Sequence, residues 1–71
     1  MVIVFDVRDA EEGGYTARAL SHAIFAQGNA WDELRANIVE ATILHFGDSA
    51  ARPRLVQLHY VKDELIPVGA A

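Results

Sequence analysis

The stretch Asp9-Ala10-Glu11-Glu12-Gly13-Gly14-Tyr15-Thr16-Ala17, DAEEGGYTA, decides how the first part of the chain is built. Paired glycines can cradle a phosphate when a helix opens directly behind them. Here Tyr15-Thr16-Ala17-Arg18-Ala19-Leu20 follows, which reads as a strand. Acids ahead of glycine favour a turn, because their short side chains accept local backbone hydrogen bonds, and glycine adopts positive φ at little cost. Acids flanking the loop would also repel a phosphate. DAEEGG is therefore read as a hairpin loop with a strand on each side.

Upstream, Val2-Ile3-Val4-Phe5-Asp6-Val7 is β-branched and aromatic, and reads as the first strand. Ile3, Phe5 and Val7 share one face; Val2 and Val4 share the other with Asp6, which predicts cover on both sides at the strand's start. Downstream, His22-Ala23-Ile24-Phe25-Ala26-Gln27 is a third strand. Gly28-Asn29 closes it, and Asn29 is expected to cap a helix from Ala30 to His45 or Phe46, with Asp32 and Glu33 at its positive end. Trp31, Leu34, Ile38, Ala41 and His45 follow a 3, 4, 3, 4 spacing on one face. Val39, Ile43 and Phe46 form a second apolar stripe, wider than one sheet ordinarily needs. Gly47 is a natural stop. After the loop Asp48–Pro53, Leu55–Val61 reads as a fourth strand. Asp63-Glu64 turns or bulges it, and Leu65-Ile66-Pro67-Val68 extends or re-pairs it; residues 69–71 are expected to fray. The order β-β-β-α-β predicts an α+β fold, an antiparallel sheet with one helix packed across it, as one domain over residues 1–71.

The chain has 71 residues, a formal charge of −4, no cysteine and 52% hydrophobic residues. A domain this short buries only about 60% of its unfolded surface, so its core is small. The apolar surplus points to a homo-oligomer, dimer or tetramer, or to a bound protein. Without cysteine, disulfides and thiolate metal sites are excluded. The acidic balance argues against direct nucleic-acid binding, which needs a surplus of Lys and Arg. Apolar runs fall far short of the ~20 residues of a membrane helix. The N-terminus lacks the basic region of a signal peptide, so no membrane association and a cytoplasmic location are expected.

Two elements resemble the N-terminal domain of the HicB family, the antitoxins of HicA–HicB toxin–antitoxin pairs. Family members often read like DEDGGYVA in the first hairpin, and Glu11–Ala17 is EEGGYTA here. They read like QGDTLEEALENIKEAI across the third strand and helix; Gln27–Thr42, QGNAWDELRANIVEAT, matches without a gap. The resemblance spans residues 1 to about 46. It departs at Ala19–Ile24, where the family usually has a segment like PELPGC, and at Ala30, where a capping threonine is frequent. Many HicB proteins continue into a DNA-binding domain with no counterpart here, so that role is not carried over. The resemblance implies a partial ribonuclease-H-like fold and a domain that binds and masks a small basic RNA-cleaving toxin of the HicA kind.

No catalytic residue, metal ligand or cofactor is expected. A ribonuclease H needs clustered carboxylates for two metal ions. Asp6 and Glu40 are the one tempting pair, against a polar strand end and a solvated helical residue. His22 and His59 could be a catalytic pair or metal ligands but read as surface or half-buried strand histidines, and Tyr15 as a packing residue. The expected partner-binding residues are Glu11, Glu12, Trp31, Asp32, Glu33, Val39, Ile43 and Phe46. The charge of Asp9, Glu11, Glu12, Asp32, Glu33 and Glu40 would steer a cationic partner, and an apolar patch would hold it. Trp31 is either a lid on the core or an interface anchor. The second stripe is either a partner patch or a second side of the core. The other function open to the sequence is a stand-alone homo-oligomer, with a small ligand between subunits as one role.

Overall fold

The computed structural model of the chain describes residues 1–69. The strands β1 (Val2–Asp9), β2 (Tyr15–Ala19), β3 (Phe25–Gly28) and β4 (Leu55–Tyr60) form one sheet in the order β3-β2-β1-β4, with the helix α1 (Trp31–Phe46) between β3 and β4. The fold is the expected α+β arrangement, one helix across a four-stranded sheet.

The opening stretch is a hairpin. Asp9 pairs with Tyr15, and the loop closes through Ala10 N–H donating to Gly14 O (3.0 Å) and Gly13 N–H to Ala10 O (3.2 Å). Gly13 and Gly14 have φ of 98° and 78°, the region where a Cβ is strained. Gly14 has a second reason to be glycine: a Cβ there would lie 2.5 Å from the Gly28 carbonyl oxygen. Gly28 in turn lies against α1, where its own Cβ would meet Leu34 N at 2.5 Å. These two glycines set how closely hairpin, β3 and helix approach.

The sheet is mixed, not wholly antiparallel. β1–β2 and β2–β3 are antiparallel, but β4 pairs parallel to β1, with Phe5 beside Leu58 and Val7 beside Tyr60. The cause is the helix. It carries the chain back along the sheet, so β4 must run in the same direction as β3, which is also the direction of β1. A parallel pair needs such a long crossover, and residues 29–54 supply it.

Ile3, Phe5 and Val7 are buried under Leu34 and Ile38, with Ala17, Ala19, Ile24 and Ala26 completing the core. The opposite face of β1 is not covered: Val2 and Arg8 are exposed, and Val4 and Asp6 half-buried. The expectation of cover on both sides therefore fails within this chain. One helix can cover one face only.

Helix details also differ from expectation. The N-cap is Ala30, in extended conformation and without a side-chain cap bond, so Asn29 lies one position too early to serve. The buried positions are Leu34, Ile38 and Thr42. Thr42 is tolerated because its Oγ1 donates to Ile38 O at 2.8 Å. His45 is exposed, at the last turn beyond the core. The β2–β3 connection, which contains no proline or glycine, is closed by Ala19 N–H donating to Ile24 O at 3.0 Å. β3 accordingly starts at Phe25, and His22 belongs to the turn. Asn37 ties the helix to the sheet, its Nδ2 donating to Gln27 O at 2.7 Å.

Past Tyr60, Val61–Gly69 forms neither strand nor helix and is exposed throughout, so the expected turn, extension or re-pairing after the fourth strand is not made within the chain. The molecule is 59 Å long against 21 and 18 Å across, and its radius of gyration of 15.2 Å exceeds the ~11 Å of a compact chain this size. The frayed end expected at residues 69–71 falls mostly on Ala70 and Ala71, outside the described residues. No helix among the described residues is long and apolar enough to cross a membrane.

Candidate protein-interaction face

The ends of β1 and β3, the starts of β2 and α1, and the end of β4 meet at one end of the sheet. Three aromatic side chains lock them together. Tyr15 lies edge-on to Trp31 (5.3 Å between centroids) and to Tyr60 (5.7 Å), and Trp31 and Tyr60 are 5.3 Å apart. Such pairs add about 0.5–1.5 kcal/mol each beyond the area they bury. The Tyr60 hydroxyl donates to Asp9 Oδ1 at 2.6 Å, joining the last strand to the first. That hydrogen bond, with weaker help from desolvation and the Asp9 charge, pushes the Tyr60 phenol up to about 12.

Acids surround this aromatic trio. Glu12 and Glu33 line one shallow depression with Tyr15, Gln27, Gly28 and Asn29. Glu11 is exposed on the hairpin, and Asp32 on the first helical turn. Asp32 approaches Arg35 only at 3.9 Å in an exposed pair, which adds little. Trp31 is half-buried against the core and reads as its lid at this end.

The other three expected partner residues lie elsewhere. Val39 and Ile43 are 48% and 46% exposed, and share a groove of about 470 Å³ with Pro53, Leu55 and Val56, between α1 and β4. Phe46 does not share that stripe's exposure. It is half-buried against the core and packs on His22 (5.2 Å) and His45 (4.9 Å) at the opposite end. The stripe is wide because α1 sits over β2 and β3 and only its flank meets the β4 side.

Asp6 accepts from Arg8 Nε at 2.9 Å on the uncovered face, so the sheet separates it from the helix that carries Glu40. His22 neighbours His45 at 5.8 Å, whereas His59 lies on β4; the pairing of His22 with His59 is not made. Among the described residues no group of three or more His, Asp or Glu stands together as a metal-binding cluster. The residues that sequence reading undervalued are Tyr60 and Asp9. Their signal was positional: Tyr60 ends the inward-facing alternation of β4, and Asp9 ends β1.

Two curated proteins resemble this chain over most of its length. One, from Thermotoga maritima and named UPF0150 protein, is 39% identical over 66 residues, covering 93% of this chain and 91% of that relative. The other, from Archaeoglobus fulgidus and also named UPF0150 protein, is 40% identical over 53 residues, covering 75% of this chain and 77% of the relative. No family model matches the chain. No solved structure matches it.

Proposed function

This chain belongs to the UPF0150 family, and from that premise we propose that it is a HicB-like protein-interaction module whose acidic end binds a small basic RNA-cleaving toxin of the HicA kind. The observation that carries the reading is the gathering of Asp9, Glu11, Glu12, Asp32 and Glu33 around the Tyr15–Trp31–Tyr60 trio. A cationic surface would be steered to the acids, and its arginines or lysines could lie against half-exposed aromatic rings. The role is non-catalytic and cytoplasmic: the module occludes the toxin's basic surface and needs neither metal nor cofactor.

The test is affinity capture of the tagged chain from its own cells, set against a quadruple variant, Glu11→Lys, Glu12→Lys, Asp32→Lys, Glu33→Lys. The expected result is a stoichiometric basic protein of roughly 60 to 90 residues, a typical small single domain, absent from the variant's eluate. A partner retained by the folded variant would overturn this assignment of residues. Lack of any basic partner would overturn the toxin reading itself.

A second reading is a stand-alone homo-oligomer. The exposure of Val39 and Ile43 along the groove beside β4 favours it.

A further inference from the structure

We propose that the projecting segment Val61–Gly69 is an arm exchanged between two copies of this chain, in which β4 and the arm form one long strand paired antiparallel with its two-fold mate. The inference does not rest on toxin binding, since it concerns the outer edge of β4 and not the acidic end.

Three observations converge on it. First, among the described residues the sheet order leaves the outer edge of β4 without a partner strand. Unpaired, long, apolar edges are ordinarily covered, because their free N–H and C=O groups recruit other strands. Second, the inward residues of β4 are incompletely covered. Val56, Leu58 and Tyr60 are half-buried, while Ile3, Phe5 and Val7 beside them are fully buried. Third, the outer part of the arm, beyond the charged Lys62-Asp63-Glu64, is apolar and exposed: Leu65 is 96% exposed, Ile66 71% and Val68 99%.

The occupant is a second copy because the strand is self-complementary. Val56, Leu58 and Tyr60 occupy alternate positions facing the helix side, and the same alternation, after the charged Lys62 and Glu64, brings Ile66 and Val68 to that side. Centring a two-fold axis on Lys62 sets Leu58 opposite Ile66 and Val56 opposite Val68 of the second copy. Both apolar pairs then fall on the under-covered side. Val68 arrives at Val56, which lines the groove with Val39 and Ile43. Lys62 meets its mate on the axis but lies diagonal to Glu64 of the second copy, which offsets the like charges. Pro67 falls near the strand's end, where a missing N–H is tolerated. An isologous contact of this kind closes on itself and stops at two copies. An arm of this length spans about 30 Å when extended, enough to run the length of β4.

Light scattering of the full chain tests the number of copies, and engineered cysteines test the pairing. The expected mass is about twice the 7.8 kDa of one chain. Ile66→Asp with Val68→Asp should reduce it to one chain that keeps the helical far-UV circular dichroism and loses only the arm's strand contribution, because neither residue contributes to the body of the fold. The register sets His59 opposite Leu65 of the second copy, on the uncovered side. The double variant His59→Cys, Leu65→Cys should therefore oxidise to a covalent dimer, in a chain with no other cysteine. A monomeric parent chain overturns the proposal, as does a dimer that survives the two aspartates. A disulfide within one chain, or none between copies, overturns the ribbon and its register.

Discussion

Single residues carry much of the geometry at the acidic end. Gly14 and Gly28 allow backbones to touch that a methyl group would separate. Ala30 is the weak point beside them, for it holds the N-cap position with no side-chain acceptor for the first helical N–H groups. Ala30→Ser supplies one, and with Glu33 three residues on it completes a capping box. The expected gain is about 1 kcal/mol, read as a rise of roughly 4–8 °C in Tm by calorimetry. Tyr60 makes a second prediction. Its hydrogen bond to Asp9 is made by the neutral phenol, so its folded pKa is raised above the ordinary value of 10.0, to about 12. The stabilisation from this bond is fully present below pH 10 and is lost as pH rises toward 12. A spectroscopic titration of tyrosinate should show one tyrosine with a midpoint near 12. In Asp9→Ala that midpoint should fall back toward 10.

At the scale of elements, α1 faces several ways at once. Leu34 and Ile38 are buried in the core, Val39 and Ile43 border the groove beside β4, and Phe46 closes the far end on His22 and His45. A helical period records which residues share a side but not what covers that side, so the second stripe reads as one surface in sequence. The structure divides it. Phe46→Asp should therefore act on the fold, costing roughly 2–3 kcal/mol in denaturant unfolding through lost burial. Leu44→Asp, at an outward position 76% exposed, should change stability by no more than about 0.5 kcal/mol. Equal effects of the two would refute the division of the helix into these faces. Asn37 shows the same limit: it reads as an ordinary polar helix residue until its bond to the Gln27 carbonyl is seen.

The whole molecule separates the two surfaces proposed for interaction. Acids and aromatics cap one end of the sheet, while the free edge and the apolar arm lie along β4 and beyond it. An encounter at the acidic end would be long-ranged and screened by salt, with a Debye length of about 8 Å at physiological ionic strength. Under the proposed function, association with a basic partner should accordingly slow as salt is raised, and this dependence should flatten in the charge-reversed variant. Exchange of the arm buries apolar side chains and should respond little to salt. Titrating ionic strength while following both processes separates the surfaces without further mutation.

Local chemistry determined much of this protein from sequence. Turn residues at Glu11–Gly14 marked the hairpin, a β-branched and aromatic run marked β1, Leu55–Val61 read as β4, and a helical period marked α1 to within a residue of its ends. The candidate acids at Glu11, Glu12, Asp32 and Glu33 were legible because they flank turns whose positions were legible. The tertiary structure decided what depends on contacts between distant segments. Strand alternation is the same for parallel and antiparallel neighbours, so only the return of the helix set β4 parallel to β1. Only the placement of α1 over β2 and β3 left the β4 side thinly covered. Tyr60 came to Asp9 across the whole chain because the crossover brought the last strand beside the first. Patterning within a segment is local information, whereas strand order, covered faces and free edges are settled by which packing buries the most apolar surface.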